Sequence, residues 1–383
     1  MPFPPELVLT IACCRWPPSP ARGAEVRDAA AAHIDWDLFP RVVARHRVEG
    51  LVHDGLRRAG VQAPLAVADR LAATASGIVR ENLRFAAASA RLTGALSAAG
   101  VLHLFVKGVT LNILAYGSLG LKRAWDIDLA VDVADYEPAC AALERAGFRP
   151  VSPGPDATPE QRRAWVARHK HSEWTDPTGV AVELHASLTD NPLMAPGLAI
   201  GGAVREVTVA PGLVLPTLPP DPLFAYLCVH GATHAWSRLK WIADVAALIA
   251  GANDAEVERL HRAAAALGAG RSSGQALLLV ARLFGRPLPP TLDRELRRDP
   301  ILRALVRAAL GSMTRGGPAT ELDRLVLGTV PIHLSHFFLA RGWRYKWSEA
   351  ARKLGGGGSA TANLSAWLAR RANASKKVTS SAP

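Results

Sequence analysis

The chain is poor in residues that build covalent or metal staples. Its 383 residues include four cysteines: Cys13, Cys14, Cys140 and Cys228. The adjacent pair is poorly placed for a disulfide, and no Cys-x-x-Cys spacing suggests zinc. Buried thiols in a reducing, cytoplasmic setting are the expectation. No apolar run approaches the roughly 18 to 20 residues of a membrane span, so no transmembrane segment is expected. The first residues lack the basic start and small-residue cleavage site of a secretory signal. No repeat of fixed period is present. Acids are scarce: 33 Asp and Glu stand against 45 Lys and Arg, a formal net charge of +12. That balance favours an anionic partner such as a nucleotide. The arginines are scattered rather than clustered, so RNA as a partner has only weak support.

What is present reads as globular, with 49% hydrophobic and 20% charged residues. Trp36, Phe39, Val42, Val43, Val48, Leu51, Val52 and Leu56 recur at helical spacing. Asp35 is a plausible N-cap and Gly60 a plausible stop. A second helical segment runs over 64–99. His33, His46 and His53 have no neighbours at ligand spacing and read as packing or surface residues. Further on, 136–146 reads as a helix stopped by Gly147, and 151–160 as a Pro-rich loop. Strands are predicted over 169–175 and 180–184, around a turn at 176–179. From about 221 the pattern is helical again. His230 and His234 lie four apart, a spacing zinc could use, but no Glu follows His230, and packing or ligand contacts are the better reading. Trp236 and Trp241 read as core residues. Residues 333–353 mix aromatics with basic residues and read as a final helix packed on the rest. The predicted class is α+β: a small mixed sheet over 101–215, a helical region over 1–100, a helical domain over 216–353 and a flexible tail over 354–383.

The chemistry gathers in residues 104–133. A short apolar run ends at Lys107-Gly108, a helical segment follows, and Asp126-Ile127-Asp128-Leu129 closes the stretch. In a strand, Asp126 and Asp128 share one face while Ile127 and Leu129 are buried behind them. Two adjacent carboxylates repel unless a cation lies between them, and Mg²⁺ prefers carboxylate oxygens. Gly108 permits close backbone approach, and a helix starting there offers N–H groups to a phosphate beside Lys107. Glu183, 55 residues beyond Asp128, adds a third acid near the end of a strand. His185 shares its face. Three acids of this kind suit in-line transfer of a phosphoryl or nucleotidyl group. Lys240 and Asp244 are spaced as an i,i+4 pair that lies on the surface or lines a cleft.

These residues resemble the polymerase-β-type nucleotidyltransferase superfamily and, more narrowly, the bacterial "uncharacterised nucleotidyltransferase" family. The resemblance rests on Lys107-Gly108, Tyr116, Arg123, the DIDL strand at 126–129, and Glu183-Leu184-His185. It continues in His230-Gly231, in His234-Ala235-Trp236, and in Leu239-Lys240-Trp241 with Asp244. It covers roughly residues 30 to 250. It implies a nucleotidyltransferase core in which Asp126, Asp128 and Glu183 are catalytic and hold Mg²⁺ or Mn²⁺. Lys107, Gly108, Val109 and Arg123 would bind the phosphates of an NTP such as ATP, with His185, Lys240 and Asp244 as accessory residues. Arg123 has a second reading, as the partner of an acid. The implied reaction moves a nucleoside monophosphate to an acceptor, a small molecule, protein or RNA, and releases pyrophosphate. Val109 stands where the superfamily usually has Ser or Gly, which removes a hydroxyl or a flexible residue. A non-catalytic nucleotide-binding or antitoxin-like protein on the same fold is the alternative.

Overall fold

A computed structural model describes residues 3–314 and 330–355. Five helices come first: α1 (Pro5–Cys13), α2 (Pro20–Ala30), α3 (Phe39–His46), α4 (Glu49–Ala59) and α5 (Leu65–Ala98). The mixed part follows as β1 (His103–Phe105), α6 (Val109–Tyr116), β2 (Ile127–Val131), α7 (Tyr136–Arg145), β3 (Arg149–Ser152), α8 (Pro159–His169), β4 (His171–Thr175) and β5 (Ala181–His185). A hairpin, β6 (Arg205–Ala210) and β7 (Leu213–Thr217), leads into α9 (Pro220–Thr233) and α10 (Leu239–Leu248). The described chain ends with α11 (Asp254–Ala266), α12 (Gly270–Phe284), α13 (Pro290–Arg298), α14 (Pro300–Thr314), α15 (Val330–His336) and α16 (Trp343–Gly355). Among the described residues no helix is long and apolar enough to cross a membrane.

The main sheet has five strands in the order β1-β2-β5-β4-β3. Only β2 and β5 run parallel; the other neighbours are antiparallel, so the sheet is mixed as expected. Alternation along β2 sends Ile127, Leu129 and Val131 into a core with Phe85, Leu92 and Leu96 of α5 and Tyr136 and Leu143 of α7. Val182 and Leu184 of β5 join the same core, which frees Glu183 and His185 for the opposite face. A second apolar core unites the chain's two helical regions. It takes Leu9, Phe39 and Val52 from the N-terminal helices and Phe224, Ile242 and Leu277 from the C-terminal ones. The long helix α5 serves both cores, giving Val67 and Leu71 to this one and its C-terminal half to the other. Its 34 residues span about 50 Å at the helical rise, enough to connect the two.

Several boundaries differ from the sequence reading. The first predicted hairpin strand loses its start, because α8 runs to His169 and strand pairing begins at His171. The loop placed at 151–160 is bounded by β3 and by α8, whose start is fixed by a capping box between Thr158 and Gln161. Residues 205–217 form a hairpin that the sequence reading did not predict, and the Thr217 hydroxyl donates to the Phe105 carbonyl at 2.7 Å, docking β7 beside β1. The final segment over 333–353 is α15, a turn and α16. Tyr345 is buried there and donates to His336 O at 2.6 Å, whereas Trp343 and Trp347 face outward. Of the predicted tail, residues 356–383 lie outside the described residues.

His46 ties the two helical regions together. Its Nδ1 accepts the Leu239 N–H at 3.1 Å, and burial pushes its pKa down to about 3. The folded state therefore keeps this imidazole neutral while the unfolded chain takes up a proton below about pH 6.5. The folded value lies below the unfolded one, so this share of stability falls as pH drops from about 6.5 towards about 3. A His46→Gln variant, which retains an acceptor but does not titrate, is expected to lose stability less steeply over that range. Urea unfolding at a series of pH values measures it; identical slopes for both proteins would contradict the assignment.

Candidate active site

The site begins where β1 gives way to α6. Val106 N–H still pairs with Asp128 O at 3.1 Å, so the chain leaves the sheet one residue later, at Lys107. Gly108 then takes φ 68° and ψ −129°, a conformation open to glycine and costly for other residues. The turn points the Lys107 side chain across β2, with Nζ 2.8 Å from Asp128 Oδ1 and 3.5 Å from His230 Nε2. The Thr110 hydroxyl lies 3.0 Å from both the Phe105 and Lys107 carbonyls, so it braces the turn from within. Val109 is buried, and this turn offers a ligand backbone groups and Lys107 but no free hydroxyl.

The loop from α6 to β2 delivers Asp126 and is held by a residue that sequence reasoning overlooked. Asn82, fully buried on α5, donates to Leu119 O and Lys122 O and accepts the Ala124 N–H at 2.9 Å. Asn112 of α6 donates to the same Lys122 carbonyl at 2.7 Å. The available signal was an amide side chain on the apolar face of an Ala- and Leu-rich helix, where only a specific partner makes it tolerable.

The three predicted acids converge. Parallel pairing places Asp128 directly beside Glu183, and Asp126 immediately precedes the strand. His185 Nε2 lies 3.3 Å from both Asp128 Oδ1 and Glu183 Oε2, bridging the two carboxylates. His171, which the sequence reading passed over, stands directly across from His185 on β4, with Nε2 4.0 Å from Glu183 Oε2. Burial drives the Asp126 pKa up, aided by Asp128 and Glu183, to about 7. Burial pushes Asp128 the same way, but Lys107 and the His185 hydrogen bond outweigh it and hold the carboxyl at about 2. Glu183 likewise overcomes burial through His171 and His185 and stays well below the usual range.

The opposite wall comes from α9 and α10. His230 faces Lys107, and His234 stacks on Trp241 with ring centroids 4.6 Å apart. Their rings meet edge to face with centroids 4.7 Å apart, and burial, with nearby cations, lowers the pKa of both. Trp236 fills the turn between the helices, and Gly231 is required there because a Cβ would overlap the Trp236 ring. Burial lowers the Lys240 pKa to about 7, with Arg47 and Lys122 adding repulsion and Asp126 opposing it.

Asp244 and Arg123 take their partners from distant elements. Asp244 does not look to Lys240 across one helical turn; it is buried, accepts from Tyr116 OH at 2.9 Å and pairs with Lys122. A buried acid takes the partners that satisfy both its oxygens, and an i,i+4 neighbour offers less. Lys240 instead lies over the Trp241 ring at 5.2 Å. Arg123 pairs with Glu81 of α5 and sits 5.3 Å from the Trp125 ring centroid, the acid-pairing role rather than a contact with the clustered acids.

A small mixed sheet with adjoining acids, behind a strand–glycine–helix turn and roofed by a helical wall, defines an α+β protein with a carboxylate-lined polar site. Residues 32–285 match the model of the family described as uncharacterised nucleotidyltransferase, and the chain belongs to that family. No curated protein matches the chain.

Asn82→Ala removes the side-chain partners of Leu119 O and the Ala124 N–H, and one of the two donors to Lys122 O. It is expected to cost about 2–4 kcal/mol and to loosen the loop that carries Asp126. Denaturant unfolding gives the cost; faster amide exchange over 117–126, with the rest of α5 unchanged, identifies the loop. Unchanged exchange there would count against the anchoring role.

Proposed function

We propose that the site transfers a nucleoside monophosphate from an NTP to an acceptor and releases pyrophosphate, with Mg²⁺ or Mn²⁺ held by Asp126, Asp128 and Glu183. The observation that carries this reading is the register of β2 against β5, which sets Asp128 beside Glu183 with Asp126 adjoining. The donor set fits the ion: three carboxylates crowd together, and Asp126 resists ionisation because of burial first and the neighbouring Asp128 and Glu183 second. The Lys107 ammonium against Asp128 shows that the cluster already draws in a cation. The metal would supply charge neutralisation for the triphosphate and activation of the attacking oxygen.

The chain's own groups divide the remaining work. His185 bridges Asp128 and Glu183 and keeps the two carboxylates side by side. Lys107 lies within reach of the acids and of any phosphate brought to them. Lys240, with Arg47 and Lys122 near it, concentrates positive charge next to Asp126, and a polyphosphate relieves that repulsion. His230, His234 and Trp241 close the site from above. The acceptor is a small molecule, a protein hydroxyl or an RNA end.

The test is incubation with each labelled NTP and Mg²⁺, following pyrophosphate release and labelling of the chain itself. Asp128→Asn is expected to reduce turnover roughly a hundredfold or more, since metal-based stabilisation of the transition state is worth several kcal/mol. Transfer that survives loss of both Asp126 and Asp128 would refute the mechanism. Nucleotide binding without turnover would move the reading to the non-catalytic alternative.

A further inference from the structure

The third acid of the site does not stand among oxygens alone. His171, Glu183 and His185 each offer a ligand atom, and these three atoms all lie within 4.8 Å of one another. One strand register and the alternation along β5 enforce the grouping. His171 is directly opposite His185 in the β4–β5 ladder, and Glu183, two residues from His185, shares its face. The imidazoles lie 5.0 Å apart, centroid to centroid. Each turns its Nε2 towards the same oxygen, Glu183 Oε2, at 4.0 Å from His171 and 3.3 Å from His185. Ligands at about 2.1 Å from a common tetrahedral ion lie about 3.4 Å apart, so His185 and Glu183 already have that spacing. His171 must move closer to both, and it has room: its side chain is 23% exposed, and its buried Nδ1 has no hydrogen-bond partner. Asp128 Oδ1, 3.3 Å from His185 Nε2, borders the same space.

We infer that His171, Glu183 and His185 form a nitrogen-bearing metal position beside the Asp126–Asp128 pair, one that takes a borderline divalent transition-metal ion such as Mn²⁺, Co²⁺ or Zn²⁺ in preference to Mg²⁺. The chemistry follows from ligand type. Mg²⁺ is a hard ion that favours oxygen donors, whereas imidazole nitrogen suits the later first-row metals. The inference deepens the transferase reading, with which it shares Glu183. It makes the two halves of one acidic site unequal, an all-oxygen half at Asp126 and Asp128 and a mixed half at Glu183.

The experiment is titration of the full-length, metal-stripped chain, free of any histidine tag, with Co²⁺. Visible ligand-field absorption reports binding, and X-ray absorption reports the ligands. One Co²⁺ is expected to bind with two imidazole nitrogens in its first shell and to resist displacement by excess Mg²⁺. His171→Ala is expected to weaken Co²⁺ by about tenfold or more and to remove one imidazole from the spectrum. Asp126→Asn is expected to leave the imidazole signature in place. A first shell without imidazole, ready displacement by Mg²⁺, or a His171→Ala spectrum identical to that of the parent would each overturn the proposal. The X-ray measurement on the unmutated chain decides the matter even if the variants fold poorly. No nucleotide enters the titration, so absence of pyrophosphate release and absence of imidazole ligation are separate failures.

Discussion

Everything at the site follows from two like charges forced into register. Parallel pairing of β2 with β5 seats Asp128 beside Glu183, and both carboxylates reach the same His185 nitrogen at 3.3 Å. Two carboxylates about 5 Å apart repel by about 3 kcal/mol at an effective dielectric constant of about 20. A favourable cross-strand pair contributes only about 0.2–1 kcal/mol, so repulsion wins unless cations intervene. The fold supplies them from two directions: Lys107 from the turn after β1 and His185 from β5 itself, whose pKa its two carboxylate partners raise against burial. The apolar residues fix the register that creates the problem. A one-residue slip of β2 would carry Ile127, Leu129 and Val131 out of their core, a larger loss than the repulsion.

The DIDL strand was legible because period-two alternation of acid and aliphatic residues is a strong local signal, and Glu183 to His185 was legible for the same reason. The glycine turn announced itself through its position after an apolar run. The elements that went unread are short or locally ambiguous. β3 spans Arg149–Ser152 and contains a proline, and the β6–β7 hairpin alternates weakly between charged and aliphatic residues. Partner choice was the other blind spot. Arg123 finds Glu81 and Asp244 finds Tyr116, pairs separated by 42 and 128 residues that no local spacing rule can foresee. His171 was missed because its role exists only across the β4–β5 ladder.

The motif on α9 and α10 shows how one sequence pattern can be split between structure and chemistry. Gly231 and Trp236 are a packing pair: the glycine makes room, and Trp236 N–H closes the turn on Gly231 O at 2.8 Å. Ala235 and Trp236 both have positive φ, a strained geometry held by the buried indole. That tight turn lets α10 fold back so that Lys240 and Trp241 approach the sheet. His230 and His234 are the pattern's polar half, directed at Lys107 and Trp241. Burial first, and then neighbouring cations such as Lys107 and Lys170, depress both imidazoles.

Charge across the site is segregated, and this gives the strongest physical reason to expect a metal-bound polyphosphate there. The strands gather Asp126, Asp128 and Glu183, with Lys107 against them, and Lys240 of α10 lies near Arg47 and Lys122. Each side contains a group pushed away from its ordinary protonation behaviour. Asp126, buried among acids, rises to about 7, and Lys240, buried among cations, falls to about 7. Bringing the two closer would relieve both, yet Asp126 is fixed to the strand by the Asn82-anchored loop and Lys240 to α10 by its place beside Trp241. A ligand with one charge sign would relieve one side and aggravate the other. A divalent cation carried by a triphosphate presents positive charge to the sheet and negative charge to the helices at once. The same argument limits what the acceptor adds: a neutral hydroxyl enters this arrangement without disturbing it, whereas a second polyanion must find its cations elsewhere on the basic surface.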